Sequence, residues 1–242
     1  MTKDLNIKNV IVKKNENMKR ILLISSIVLL FVGGCTKDTE FEQETTYIVT
    51  EGKVEKDIDT INGHCYVNLG LPSGLKWATC NVGASLPGDY GDYFAWGEVK
   101  PKGSYTVDNC LTYNKLMEDI SGSEQYDAAT ANWGTPWRMP TKDEFQELLD
   151  ECEIEQGSYD GVACYKFTGP NGNEIYLPCA GYYKNSEYQN DNHRYAMIWT
   201  STPSEISRKE AYRLSLNVSN FFNTTYDTRS RYFGYSIRAV TE

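Results

Sequence analysis

From Cys65 onward the chain alternates short apolar runs with Gly, Pro and Asn turns, the pattern of many short strands. Residues 65–69 alternate, and 75–79 follow the Pro72-Ser73-Gly74 turn. Two stretches change period. The first predicts a helix capped by Ser123, running through Ala128 and Ala129 to Trp133 and stopping at Gly134. The second opens on Thr141 with Glu144 three residues on, a capping box, and places Phe145, Leu148, Leu149 and Cys152 on one stripe. The acidic run Asp143, Glu144, Glu147, Asp150, Glu151, Glu153, Glu155 reads as the solvated face of that helix. Residues 162–167 and 174–177 flank a Gly/Pro/Asn tip and predict a hairpin. In the last sixty residues, β-like runs (197–200, 211–216, 235–240) alternate with Asn/Tyr/Ser/Arg-rich loops, with Trp199, Tyr235 and Tyr212 assigned to the core. Two helices among several short antiparallel strands and long irregular loops make an α+β fold.

The N-terminal quarter follows other rules. Met18-Lys19-Arg20 precedes an apolar run at 21–32, and Gly33-Gly34-Cys35 follows it. Twelve apolar residues rise only ~18 Å as a helix, short of a ~30 Å hydrocarbon core, so the layout is that of a secretory signal. Val-Gly-Gly-Cys resembles a bacterial lipobox, which makes Cys35 the expected lipidation site; a short uncleaved anchor with an incidental Cys is the alternative. Residues 1–34 are then lead and signal peptide, with 1–17 read as an upstream start and Met18 as the working one. Residues 35–62, rich in Thr, Glu, Lys and Asp, form a tether with one short strand at 47–50. Acids soon after Cys35 resemble the export signal of Bacteroidota lipoproteins, so the expected location is the outer membrane, facing out, with the membrane as a partner through the anchor.

Charge narrows the partners. The first 34 residues hold six of the 24 Lys/Arg and two of the 33 Asp/Glu, so the rest is more acidic than the formal −9 of the whole. Such a surface repels phosphate backbones, and no nucleic-acid partner is expected. The two histidines, His64 and His193, have no recognisable catalytic partners, and no enzyme activity is expected. Six cysteines follow Cys35 without a CxxC pair, which argues against a zinc ribbon. If Phe167 faces Tyr176 across the hairpin, Cys164 lies opposite Cys179 at a spacing near that of a disulfide; free buried thiols are the alternative.

Five ordered segments carry a resemblance: VNLGLPSGLKWATCNVG (67–83), GDYFAWGE (91–98), ANWGTPWRMPTKDEF (131–145), IWTST (198–202) and GYSIRAV (234–240). Together they resemble the Fibrobacter succinogenes major paralogous domain over residues 63–242. That family is similar to the C-type-lectin-like superfamily, which includes the formylglycine-generating enzymes. The resemblance implies a C-type-lectin-like fold with a variable, loop-rich ligand face near the C-terminus. It does not imply one activity. WRMPTKDEF resembles the helix-capping stretch of the formylglycine-generating enzymes, whose redox cysteines lie late in the chain, and here no cysteine follows Cys179. Cys80 and Cys152 lie where family members often carry Cys, implying a contact between that strand and the second helix. Asn190-Asp191-Asn192 offers oxygens for calcium, but the sugar-binding Glu-Pro-Asn, Gln-Pro-Asp and Trp-Asn-Asp signatures are absent, so no cofactor or metal is expected.

Residues 182–235 are dense in Tyr, Phe, Asn, Ser, Thr and Arg. Tyr gives wide amphipathic contact at low entropic cost, and aromatic loops stack on sugar rings, so a glycan and a protein ligand fit equally. The expected ligand-binding residues are Tyr182, Tyr183, Tyr188, Phe221, Phe222, Tyr226, Arg229, Arg231 and Tyr232, the arginines acting as hydrogen-bond forks for carboxylate or sulfate. Residues 216–235 contain no Lys, Trp, Glu, Gln or Met, the residues that mutating the adenines of Asn codons never yields. That marks the window as a candidate target of a diversity-generating retroelement. A structural or fimbria-associated surface subunit is the alternative reading.

Overall fold

The computed structural model describes residues 49–50, 53–54, 59–190, 195–217 and 225–242. β1 (Val49–Thr50) and β2 (Lys53–Val54) form a small antiparallel ladder in a separate compact unit. The larger unit holds β3 (Asp59–Ile61), β4 (His64–Asn68), β5 (Lys76–Asn81), α1 (Ala128–Trp133), α2 (Lys142–Glu151), β6 (Glu153–Tyr159), β7 (Val162–Thr168) and β8 (Glu174–Pro178). It continues with β9 (Tyr182–Lys184), β10 (Glu187–Gln189), β11 (Tyr195–Pro203), β12 (Glu210–Asn217), β13 (Thr225–Ser230) and β14 (Arg238–Thr241). The architecture is α+β: antiparallel sheets in the orders β14-β5-β4-β3, β6-β7-β8 and β11-β12-β13, plus the β9–β10 hairpin. The first sheet begins at Asp59, inside the stretch read as tether. No described helix is long and apolar enough to cross a membrane.

Period-2 alternation builds two cores from the same strands. Along β11, Ala196 and Ile198 enter one cluster, with Leu214, Phe145, Leu148 and Trp77. Met197 and Trp199 enter the other, with Ala211, Trp96, Trp137 and Tyr235. Trp199 and Tyr235 are buried, whereas Tyr212 is only half-buried beneath the Lys142 ammonium, 4.7 Å from its ring centroid.

The helices show which local signals prevail. On α2 the Thr141 hydroxyl accepts from the Glu144 N–H while the Glu144 carboxylate accepts from the Thr141 N–H. Arg138 grips that carboxylate through two bonds of 2.9 and 2.6 Å, and its backbone pairs with Val240, so one segment ties helix to C-terminal strand. Phe145, Leu148 and Cys152 are buried, with Leu149 packed against them. The helix stops at Glu151, however. Glu153 and Glu155 belong to β6, an edge strand, where Glu155 pairs with Lys166 at 2.6 Å. On α1 the cap is Asp127, not Ser123, whose carbonyl instead accepts from the Asp127 N–H.

Asp127 also reaches beyond its helix. Its two carboxylate oxygens accept from Ala129, Thr130, Gly122 and Met139 N–H groups at 2.7–3.1 Å. Burial pushes this carboxyl up despite four donors. Asp127→Asn turns one acceptor into a donor facing two N–H groups, and a loss of about 2 kcal/mol in chemical denaturation is the expected result.

The cysteines are a correction. Phe167 faces Ile175, so Cys164 faces Pro178, and the Cys179 N–H donates to Ala163. This one-residue difference in register sends the two side chains to opposite faces of the hairpin. Cys179 joins Tyr165, Phe167 and Leu177 in the core, while Cys164 shares the other face with Lys166 and Tyr176. All six described cysteines are free. The strand–helix contact exists, but Trp77 and Phe145 make it, with ring centroids 4.9 Å apart. Burial pushes the Cys152 thiol up to about 11 and the Cys179 thiol up to about 12, which keeps both unreactive.

Candidate functional site: a tyrosine face

The site begins at the β9–β10 hairpin. Gly181 enters it at φ 60°, where an added Cβ would lie 2.4 Å from the Gln189 carbonyl. Tyr183 and Gly234 then exchange backbone hydrogen bonds of 2.9 Å in both directions. Gly234 is required there, because a Cβ would sit 2.8 Å from the Tyr105 ring. The hairpin and the segment after β13, separated by some forty residues of sequence, thereby form one surface.

The hairpin's alternation divides its tyrosines. Tyr182 turns toward Phe233 and Tyr235, with ring centroids 5.9 and 5.6 Å away. Tyr183 turns the other way, into a cluster with Tyr93, Tyr105 and Tyr188 at 4.9, 5.7 and 5.3 Å. Tyr188 is 41% exposed, yet its hydroxyl is fixed: it donates to the Ala180 carbonyl and accepts from Asn190, both at 2.9 Å. Tyr93 donates to the same carbonyl, and Tyr105 donates to the Tyr93 carbonyl. Burial pushes the Tyr105 hydroxyl up to about 12 and raises Tyr93 as well, so these phenols stay neutral donors at any physiological pH.

On the second side Tyr232 stacks on Phe233 at 4.7 Å and meets Tyr113 edge-on at 6.2 Å. Lys184 stands 5.7 Å over Phe233 and Lys209 6.0 Å over Tyr113. Arg229 is exposed at the rim, 3.0 Å from Asp227, whose carboxylate Arg213 holds from the buried side at 2.7 and 3.0 Å.

Arg231 is the main correction. It is 1% exposed, its guanidinium lies 4.3 Å over Trp96, and it donates to the carbonyls of Thr112, Lys115 and Glu210. Burial pushes its pKa down to about 10. Buried, with Nε and Nη1 donating to the protein's own backbone, it positions the loops carrying Tyr113 and Lys209 and does not stand at the exposed rim as a free fork. Phe221, Phe222 and Cys35 lie outside the described residues, as does the side chain of Tyr226, whose backbone in β13 pairs with Leu214 in β12. Of the candidate calcium loop only Asn190 is described, and its amide is engaged by the Cys179 carbonyl and the Tyr188 hydroxyl.

Tyr93, Tyr105 and Tyr113 were missed by reasoning from the sequence, though Tyr93 sits in the GDYFAWGE segment. The arrangement can stack, hydrogen-bond and present cations at a rim. The chain matches no family model, no curated protein and no solved structure.

Proposed function

We propose that the chain is a lipid-anchored cell-surface protein whose C-type-lectin-like domain binds a glycan or protein ligand on the tyrosine face. The observation that carries this reading is the Tyr183–Gly234 pairing, which unites two Tyr-bearing segments, the second of them carrying arginine, on one surface with Tyr188 and Arg229 exposed. The resemblance of five segments to the Fibrobacter succinogenes major paralogous domain supports it from another side. So does the identity of those segments' residues: Trp77, Trp96, Trp137 and Trp199 are fully buried, so the motifs serve the scaffold and leave recognition to the loops. Within 216–235, diversification by a retroelement has to spare Arg231, Gly234 and Tyr235, which the scaffold uses.

The test is the double variant Tyr188→Ala/Tyr232→Ala on arrays of glycans and of proteins. Removing two rim aromatics at ~1–2 kcal/mol each is expected to weaken retention at least ~10-fold while the melting temperature stays within a few degrees. Undiminished retention removes the site assignment.

A further inference from the structure

We propose a second site: a cleft of about 230 Å³, lined by Asp59, Tyr66, Asn68, Lys76, Asn171 and Asn173, that binds one hydroxyl-rich sugar ring. It shares no residue with the tyrosine face. Its floor follows from strand register. Asp59 lies beside Tyr66 across β3 and β4, and Asn68 beside Lys76 across β4 and β5. Its wall is the turn between β7 and β8, which is pinned in place. The Asn171 and Asn173 amides both donate to the Asn68 carbonyl at 2.8 Å, and Gly169 approaches Leu69 so closely that a Cβ would lie 2.1 Å from its carbonyl oxygen.

The chemistry selects the ligand class. The Asp59 carboxylate accepts from the Tyr66 hydroxyl at 3.2 Å, while the Lys76 ammonium sits 5.5 Å over the Tyr66 ring and donates to the Glu242 carbonyl. Tyrosine thus holds one anion and one cation in the same cleft, and their opposite charges favour no ionic ligand. An acceptor, a donor and amides that do both match hydroxyl groups, each of which donates and accepts. The Tyr66 ring adds an apolar surface for the C–H side of a sugar. The volume lies below the ~300–1,000 Å³ of pockets for drug-sized ligands and matches about one ring seated in the cleft.

The experiment is saturation-transfer NMR on the whole chain with glucose, galactose, N-acetylglucosamine and inorganic sulfate as probes. At least one sugar is expected to bind with a Kd on the order of 1 mM. Asp59→Asn/Lys76→Met should weaken that binding ~10-fold, and Tyr188→Ala/Tyr232→Ala should leave it unchanged. Asn173→Ala, at the turn, gives the same direction independently should the double variant fold poorly. The proposal is overturned by no saturable sugar signal at tens of millimolar, by sulfate binding alone, by binding indifferent to the cleft variants, or by binding lost in the tyrosine variant. The first two do not depend on the tyrosine face having a ligand, and the last two decide which face a sugar uses.

Discussion

Arg238→Met is expected to lower stability by about 3 kcal/mol, roughly 10 °C in melting temperature for a domain of this size. Arg238 is fully buried and is held by oxygens alone. Its guanidinium donates to the Asn81 side chain at 3.0 Å, the Ala78 carbonyl at 2.8 Å and the Tyr176 carbonyl at 2.7 Å. These partners lie on β5 and β8, so one side chain from β14 joins the β14-β5-β4-β3 sheet to the β6-β7-β8 sheet. Burial pushes its pKa down to about 10, which still leaves it charged at neutral pH. Methionine removes an expensive buried charge, and that gain offsets part of the damage. It also strands three acceptors at ~1–3 kcal/mol each, which is the larger effect. Arg238→Lys tests the same claim differently: it keeps the charge but loses the planar fork, so it should be no better than methionine. A lysine variant with wild-type stability in urea denaturation contradicts this role for the guanidinium.

Two of the buried arginines also show what a sequence hides. Arg231 reads as a ligand-facing fork because Arg seldom lies fully buried, and nothing local announces the backbone carbonyls that hold it and Arg238. Local signals were readable: the Thr141/Glu144 box, the Phe145–Cys152 stripe and the hairpin around residues 168–173 all rest on neighbours in the chain. Where two local choices compete, those neighbours do not decide between them. Ser123 and Asp127 are both good caps, and only the N–H groups of Gly122 and Met139 explain why Asp127 prevails. The acids of β6 continue the polar face of α2 without a break, so the pattern reads as a longer helix than the one that forms. The hairpin's existence was legible but its register was not, because one residue at the tip decides which thiol faces the core. The candidate site divides in the same way. Its tyrosines stand out by composition, whereas their partition between two sides of a hairpin, and the cleft assembled from residues 59–76 and 171–173, depend on long-range contacts.

Cys35→Ser is expected to move the protein wholly from the membrane fraction to the soluble one and to abolish incorporation of labelled palmitate. The apolar run at 21–32 rises ~18 Å as a helix, too little to hold a protein across a ~30 Å core by itself. Acyl chains contribute ~0.8 kcal/mol per buried CH₂, and stable anchoring takes more than one chain, which is what lipidation at a processed cysteine supplies. The competing uncleaved anchor makes the opposite prediction: the serine variant stays with the membrane, and the mature chain still carries residues 18–34. N-terminal sequencing or intact mass of the wild-type chain separates the two. If membrane association survives the loss of the thiol, the tyrosine face and the cleft keep their chemistry, but the proposed lipid anchor, and the surface location proposed from it, fall.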